Sequence, residues 1–211
     1  MELNVNPAMR EWVLDRLTSE YRTPKPTPHS TQLIYCLTNS YYELYDPLPL
    51  TERELLLFSV GFGMERVLLG KTKDSPLKVD GIYVSPDFMM VEGEWGELKT
   101  TRMKPPAHGA EMPLPEGWVK QIKAYCHCIG VTHYNLAVLH VIQPALTTWR
   151  LDFTPEELLE NWEWIKYRLA TLVGYIGDVE PPIPFTYNME WECGYCNYRP
   201  RCELARLGGR V

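Results

Sequence analysis

Residues 78–101, KVDGIYVSPDFMMVEGEWGELKTT, mark the point where the sequence changes from a helical to a strand-like pattern. Three segments, KVDGIYVS, FMMVE and WGELKTT, read as strands of a meander joined by short turns. In GELKTTR (96–102) the alternation puts Glu97 and Lys99 on one face of a strand and Leu98 on the other. Alone, this Glu/Lys pair favours two solvated charges on an exposed strand, and only the rest of the chain can indicate a reactive pair.

Helical patterns flank this stretch on both sides. Before it, the sequence predicts helices at 7–20, at 30–45 with Ser30 as N-cap after the Pro-rich TPKPTPHS, and from the Thr51/Glu54 capping box through 69. Gly61 and Gly63 in the last of these helices suggest close packing. After it come a Pro- and Gly-rich connection at 104–117, interpreted as a mobile flap, and a helix at 116–129. Two strands, HYNLAVLHVI and LTTWRLDF, and a helix with Thr154 as cap complete the core.

This order of elements predicts a layered α/β or α+β core in one domain of 211 residues. The composition, 45% hydrophobic and 23% charged, is typical of a globular protein without repeats. The sequence contains no apolar run of the length that a membrane span requires, so we expect a cytoplasmic protein without a membrane partner. A net charge of -6 argues against a protein that coats nucleic acid, but it does not exclude a nuclease.

The first candidate site combines Asp80 with Glu97 and Lys99. If residues 78–84 and 95–101 lie side by side, Asp80 faces Glu97, and the two carboxylates can clamp Mg²⁺ or Mn²⁺ with the carbonyl of Leu98 as a further ligand. Such an ion lowers the pKa of a bound water, and Lys99 on the same face would assist that water. A surface ladder of alternating charges is the alternative.

Other polar residues qualify as supporting groups. Gln121 and Tyr125 are four residues apart on a predicted helix, so they share one face and can hold Lys99 or contact a nucleic-acid backbone. Glu65 is either an exposed partner of a basic residue or a third acidic metal ligand. The five histidines show no paired metal spacing, and among them only His108, in the flap, is a candidate.

Four of the six cysteines form a metal-ligand pattern. Cys193, Cys196 and Cys202 are clustered in the tail, and Cys36, in LIYCL, can supply a fourth thiolate if the chain ends meet. Zinc and an iron–sulfur cluster both accept four thiolates, so the spacing leaves the two open. Cys126 and Cys128, in YCHCI, are interpreted as core residues.

Taken in order, STQLIYCLTNSYY, GFGME, VDGIY, GELKTT, QIKAY and CGYCNYRPRC resemble the RecB-like PD-(D/E)xK nucleases with an iron–sulfur cluster, in particular the CRISPR-associated protein four family or a phage relative. The resemblance implies a restriction-endonuclease-like core, with a mixed β-sheet flanked by helices, and divalent-metal-dependent DNA cleavage. It also implies a [4Fe–4S] cluster on the four cysteines that joins the N-terminal helix to the tail. Gln121 and Tyr125 match the family's QxxxY motif, whereas Glu65 stands where many members carry a histidine ligand.

We therefore expect a Mg²⁺- or Mn²⁺-dependent DNA exonuclease or end-trimming nuclease that prefers single-stranded or frayed ends. Its expected layout is an N-terminal helix and linker (1–29), a nuclease core (30–185) and a cluster-binding tail (186–211). Partners would be DNA, CRISPR integration or recombination proteins, and a second copy of the chain. The alternatives are a DNA-end-binding adaptor subunit and a zinc-stapled nucleic-acid-binding module.

Overall fold

The computed structural model describes residues 6–21, 27–70, 75–90, 93–106, 113–175 and 189–206. His108 and the other residues at 107–112 of the expected flap lie outside these ranges. The helices and strands follow one another as α1 Pro7–Glu20, α2 Ser30–Ile34, α3 Leu37–Tyr45, α4 Glu52–Leu69, β1 Leu77–Val79, β2 Ile82–Val84, β3 Phe88–Met89, β4 Trp95–Thr101, α5 Glu116–Ile129, β5 His133–His140, β6 Ala145–Asp152, α6 Pro155–Gly174, α7 Met189–Tyr195 and α8 Arg199–Arg206.

The strands form two sheets. In the larger sheet the order is β3-β4-β5-β6, with β4 and β5 parallel and the two outer pairings antiparallel, so the sheet is mixed. The parallel pair is possible because α5 provides the crossover between β4 and β5. β1 and β2 form a separate antiparallel hairpin. The expected α+β class, with a mixed sheet flanked by helices, is confirmed.

One face of the larger sheet carries the hydrophobic core. On β5 every second residue, from Tyr134 through Leu136 and Val138, is buried. Glu97 pairs in register with Leu136 and Lys99 with Val138, so both polar side chains lie on this buried face. Helix α5 packs on it with α6 and α2. The alternation of β4 therefore aims its charged residues into the core layer rather than into solvent.

Capping chemistry sets several helix boundaries. Thr51 with Glu54 forms the capping box that begins α4, and Thr154 caps α6, both as the sequence predicts. Glu157 completes a second capping box with Thr154. The cap of α2 is His29 and not Ser30, because the His29 ring accepts from the backbone N–H of Thr31. Among the described helices, none is long and apolar enough to span a bilayer.

Two local predictions need correction. The expected single helix at 30–45 is broken into α2 and α3, and Cys36 sits at the break as the extended N-cap of α3. Gly61 lies against β4, but an added Cβ would make only an ordinary contact there, 3.6 Å from the Thr100 hydroxyl oxygen. Close packing does not hold for Gly63 either, since no described atom comes within 4 Å of the same position.

Candidate active site

Glu97 is the centre of a polar cluster inside the core layer. Its side chain is 2% exposed, and one carboxylate oxygen, Oε1, is bound by its neighbours. No donor among the described residues bonds the other oxygen, Oε2, although the Asp87 carboxyl lies within hydrogen-bonding range of the Glu97 side chain. A buried acceptor left without a partner costs free energy, and such groups concentrate at sites that bind an ion or a ligand.

Lys99 and Gln121 both donate hydrogen bonds to Glu97 Oε1. The Lys99 ammonium donates to Glu97 Oε1 and, at 3.0 Å, to the side-chain oxygen of Gln121. The Gln121 amide nitrogen lies 3.2 Å from Glu97 Oε1 and also donates to the Tyr125 hydroxyl. Because Gln121 and Tyr125 are one turn apart on α5, one helix face holds the whole network. The structure thus brings these four sequence-predicted residues together.

Asp87 is the second carboxylate of the cluster. It immediately precedes β3, is 9% exposed and accepts a hydrogen bond of 3.1 Å from the Leu98 backbone N–H. Its charge also acts directly on Glu97 and Lys99. Asp87 is not among the site residues predicted from the sequence, although Pro86-Asp87 and Glu97-x-Lys99 match the PD-(D/E)xK pattern.

The placement predicted for Asp80 is wrong. Asp80 lies in the turn of the β1–β2 hairpin, which is not hydrogen-bonded to β4, and its backbone has a positive φ of 49°. Its carboxylate is exposed and accepts a hydrogen bond of 2.8 Å from the indole N–H of Trp162 on α6. The expected meander fails because β2 and β3 belong to different sheets, so Asp87 and not Asp80 reaches Glu97.

Burial and charge set the protonation of the cluster. Burial raises the pKa of Glu97 to about 8; the Lys99 ammonium opposes this shift and the Asp87 carboxylate reinforces it. Burial on its own lowers the pKa of Lys99, but the carboxylates of Glu97 and Asp87 more than offset it, and the net pKa is raised. Lys99 is therefore an ammonium ion at neutral pH, and its side chain is 19% exposed.

Two further predicted ligands lie nearby. The N–H and C=O of a strand residue point to the same edge, so the Leu98 carbonyl faces the side on which Asp87 bonds the Leu98 N–H. Glu65 is half-buried on α4, one turn beyond Gly61 where that helix touches Thr100. The charges that perturb Glu97 include Lys99 and Asp87, and the role of Glu65 as a ligand stays a prediction.

The four tail-and-helix cysteines line a single cavity of about 880 Å³: Cys36, Cys193, Cys196 and Cys202. Burial raises the pKa of Cys196, and the three other thiols add to the shift because they lie close to it. Cys126 and Cys128 lie on α5, where burial raises the pKa of each to about 12. The latter two are thus held as neutral thiols, as the sequence predicts.

Side-chain contacts hold the tail against the N-terminal helices. Tyr198 stacks on Tyr42 of α3, with ring centroids 5.2 Å apart, and its hydroxyl accepts from the backbone N–H of Leu48 at 3.0 Å. The Cys196 thiol lies 3.4 Å from the side-chain oxygen of Asn39. The tail therefore meets α3, which is the condition for Cys36 to join the tail cysteines.

Neither group forms a closed single-ion cage. Within the described ranges, no set of three or more His, Cys, Asp or Glu side chains converges on a point that one metal ion would occupy. For Mg²⁺ this is no obstacle, because that ion usually takes one or two carboxylates and keeps several waters.

Comparison with known proteins supplies a fold and little more. No family model and no curated protein matches the chain. The crystal structure of SSO0001 superposes with a TM-score of 0.59 at 18% identity, over 92% of this chain and 96% of that one. An alkaline exonuclease, LHK-Exo from Laribacter hongkongensis, gives a TM-score of 0.48 at 14% identity, over 80% and 94% of the two chains. At 18% identity the similarity to the first structure concerns the fold alone. The TM-score of 0.48 for the second structure is too low to support a common fold.

Proposed function

We propose that this protein is a metal-dependent nuclease that hydrolyses phosphodiester bonds of DNA at the Glu97 cluster. One observation carries the proposal: a buried carboxylate with an unpartnered oxygen lies beside a second carboxylate, Asp87, and an ammonium ion, Lys99. Two acidic groups and a lysine in one cluster are the components that metal-assisted phosphodiester hydrolysis needs. A surface ladder of charges does not account for a glutamate that is 1% exposed.

In this proposal Asp87, Glu97 and the carbonyl of Leu98 hold Mg²⁺ or Mn²⁺. Bound there, the ion lowers the pKa of a water and neutralises charge on the phosphate. The unpartnered Oε2 of Glu97 is the oxygen that gains most from ion binding. A cation there also favours the ionised form of Glu97, opposing the burial that raises its pKa.

Lys99 acts as a charged donor and not as a base, since its pKa is raised. It donates hydrogen bonds to the attacking water or to the phosphate oxygens, and it stabilises negative charge as the P–O bond to the leaving oxygen breaks. Gln121 fixes the ammonium from the other side, and Tyr125 fixes the Gln121 amide. These two are positioning residues, which act on the substrate through Lys99.

We also propose that Cys36, Cys193, Cys196 and Cys202 hold a [4Fe–4S] cluster. Four thiols around one cavity, carried by both ends of the chain, support this assignment. When bound, the cluster cross-links the tail to the α2–α3 break, so we assign it a structural role. A brown protein with iron and sulfide supports the cluster, while a colourless protein with stoichiometric zinc contradicts it.

The preferred substrate we propose is single-stranded or frayed DNA with a free end, in CRISPR adaptation, phage recombination or repair. The test is digestion of end-labelled single- and double-stranded linear DNA and of circular single-stranded DNA, with and without Mg²⁺ or Mn²⁺. We expect Lys99→Ala to abolish degradation, while Lys78→Ala, on the exposed edge of β1, degrades DNA as the wild type does. Undiminished cleavage by a folded Lys99→Ala protein contradicts the proposal, and cleavage of circles contradicts the need for an end.

A further inference from the structure

A groove of about 1330 Å³ opens between α4 and the beginning of α5, next to the Glu97 cluster. Its walls combine apolar side chains of α4, such as Leu57 and Val60, with aromatic rings of Trp118 and Tyr195. Leu57 and Val60 are 41% and 42% exposed, which is high for helix positions of this kind. An apolar and aromatic groove that stays open on a helix face is suited to flat, weakly polar ligands.

Tyr195 and Arg53 form the most distinctive feature of this groove. The Arg53 guanidinium carbon lies 4.3 Å from the centroid of the Tyr195 ring, so the two groups are in cation–π contact. Tyr195 is 54% exposed. Phenol rings and guanidinium planes are the surfaces on which unpaired nucleobases stack. Cys193 and Cys196 flank Tyr195 in the sequence.

Tyr35 connects the groove to the candidate active site. Its ring lines the groove and packs so tightly on α5 that a Cβ on Gly117 would come within 2.8 Å of it. The charges of Lys99 and Glu97 act on the Tyr35 phenol, which places it beside that pair. A strand that lies in the groove therefore passes Tyr35 on its way to Lys99.

The charges of the groove permit a polyanion but do not dominate its binding. Four acidic residues are among its described lining residues: Glu52 pairs with Arg10, Glu54 accepts a hydrogen bond from Thr51, Glu116 lies 3.5 Å from Lys120, and Glu192 is half-buried. Arg53 and Arg102 add two positive charges to the walls. Stacking, rather than a dense phosphate-binding surface, is the interaction that the groove offers.

We propose that this groove is a binding subsite for single-stranded DNA, with nucleobases stacked on the Tyr195–Arg53 pair and the backbone leading past Tyr35 to Lys99. The inference rests on the proposed function for its substrate, and it adds the surface that selects unpaired bases. In a duplex the bases are stacked on one another, so they do not present their faces to Tyr195.

The test is fluorescence anisotropy with a labelled 12-nucleotide oligodeoxythymidine, measured in EDTA so that no cleavage occurs. Loss of one stacking platform weakens binding roughly 5- to 150-fold, so we expect that range for Tyr195→Ala. Tyr195→Phe keeps the ring and binds within about twofold of the wild type. Tyr167→Ala, which removes a tyrosine that is 61% exposed on α6, is the matched control and leaves binding unchanged.

Two further binding measurements vary the salt concentration and replace the single strand with a duplex. Two phosphate contacts from Arg53 and Arg102 predict a slope of about -1.4 in log K against log salt. A blunt duplex of the same length binds at least about tenfold more weakly, because it offers no free base faces. Equal binding of duplex and single strand overturns the proposal, as does a Tyr195→Ala protein that binds like the wild type. If circular dichroism shows that Tyr195→Ala is unfolded, oligonucleotide binding is measured with Arg53→Ala instead. Unchanged binding by Arg53→Ala overturns the proposal.

Failure of this inference is separable from failure of the proposed function, because the binding assay needs no catalysis. A protein that binds the oligonucleotide through Tyr195 and never cuts DNA upholds the subsite and contradicts the nuclease. A protein that cuts DNA while Tyr195→Ala and Arg53→Ala leave both binding and KM unchanged upholds the nuclease and overturns the subsite.

Discussion

Replacing Asp87 and Asp80 one at a time with asparagine separates the structural account from the sequence-based one. Asp87 is 9% exposed, next to Glu97 and bonded to the Leu98 N–H. Asp80 is exposed, in a hairpin turn, and bonded to the Trp162 indole. We expect Asp87→Asn to lose metal binding and cleavage, and Asp80→Asn to retain both.

The magnitude follows from the charge that each substitution removes. A carboxylate about 4 Å from a divalent ion, at an effective dielectric constant of about 20, attracts it by roughly 8 kcal/mol. Part of this attraction offsets the desolvation of the ion and the carboxylate, and the amide oxygen of asparagine still coordinates weakly. A net loss of roughly 3 kcal/mol weakens Mn²⁺ binding about 150-fold. At Asp80 the asparagine oxygen still accepts from Trp162, so the cost is about 1 kcal/mol of folding stability and no metal affinity.

The assay is titration of metal-free protein with Mn²⁺, followed by the electron paramagnetic resonance signal of the free ion. Thermal unfolding of both variants confirms that they are folded, and cleavage of labelled single-stranded DNA is measured on the same samples. Loss of Mn²⁺ binding in Asp80→Asn together with wild-type binding in Asp87→Asn would refute the assignment of Asp87 and restore the original one.

Three further predictions concern stability and cofactor content. In the folded protein the pKa of Glu97 is raised from 4.5 to about 8. Below about pH 4.5 this carboxyl is therefore protonated in both the folded and the unfolded protein, whereas between about pH 4.5 and pH 8 it is protonated only in the folded protein. Metal-free wild type should thus lose roughly 4 to 5 kcal/mol relative to Glu97→Gln as the pH rises through this window, as measured by urea unfolding; a pH-independent difference refutes it. Arg168 is 1% exposed and donates to the backbone carbonyls of Leu33 and Tyr35. Arg168→Met should therefore lower the free energy of unfolding by about 3 to 5 kcal/mol and the Tm measured by calorimetry by about 6–20 °C. A Tm equal to that of the wild type contradicts this role. Cys196→Ser should lose bound iron and destabilise the protein, with Cys128→Ser as the control that keeps iron; full iron content in Cys196→Ser argues against the cluster assignment.

The part of the site that the sequence predicts is the part built from short-range periodicity. A two-residue repeat puts Glu97 and Lys99 on one strand face, and a four-residue repeat puts Gln121 and Tyr125 on one helix face. The contacts among these four residues confirm that placement. Such spacings are local properties of a strand or a helix, so they can be recognised in the sequence without knowledge of the fold.

Partners that depend on strand order were not predictable in the same way. Asp80 and Asp87 both lie in strand-like sequence before Glu97, and alternation does not say which strand pairs with β4. The pairing is settled by a parallel crossover through α5 and by separation of the β1–β2 hairpin, both of which are long-range features. The helix break at Cys36 was missed for a similar reason, since the buried guanidinium of Arg168 on α6 bonds the Leu33 and Tyr35 carbonyls there.

The most direct test of a metal-dependent nuclease site at Glu97 is the rate at which purified protein degrades end-labelled single-stranded DNA through a cycle of EDTA and Mg²⁺ addition, with Glu97→Gln run alongside. We expect that EDTA stops degradation by the wild type, that Mg²⁺ restores it, and that folded Glu97→Gln stays inactive throughout. Degradation that continues in EDTA, or that survives in Glu97→Gln, would contradict a metal-dependent nuclease site at Glu97.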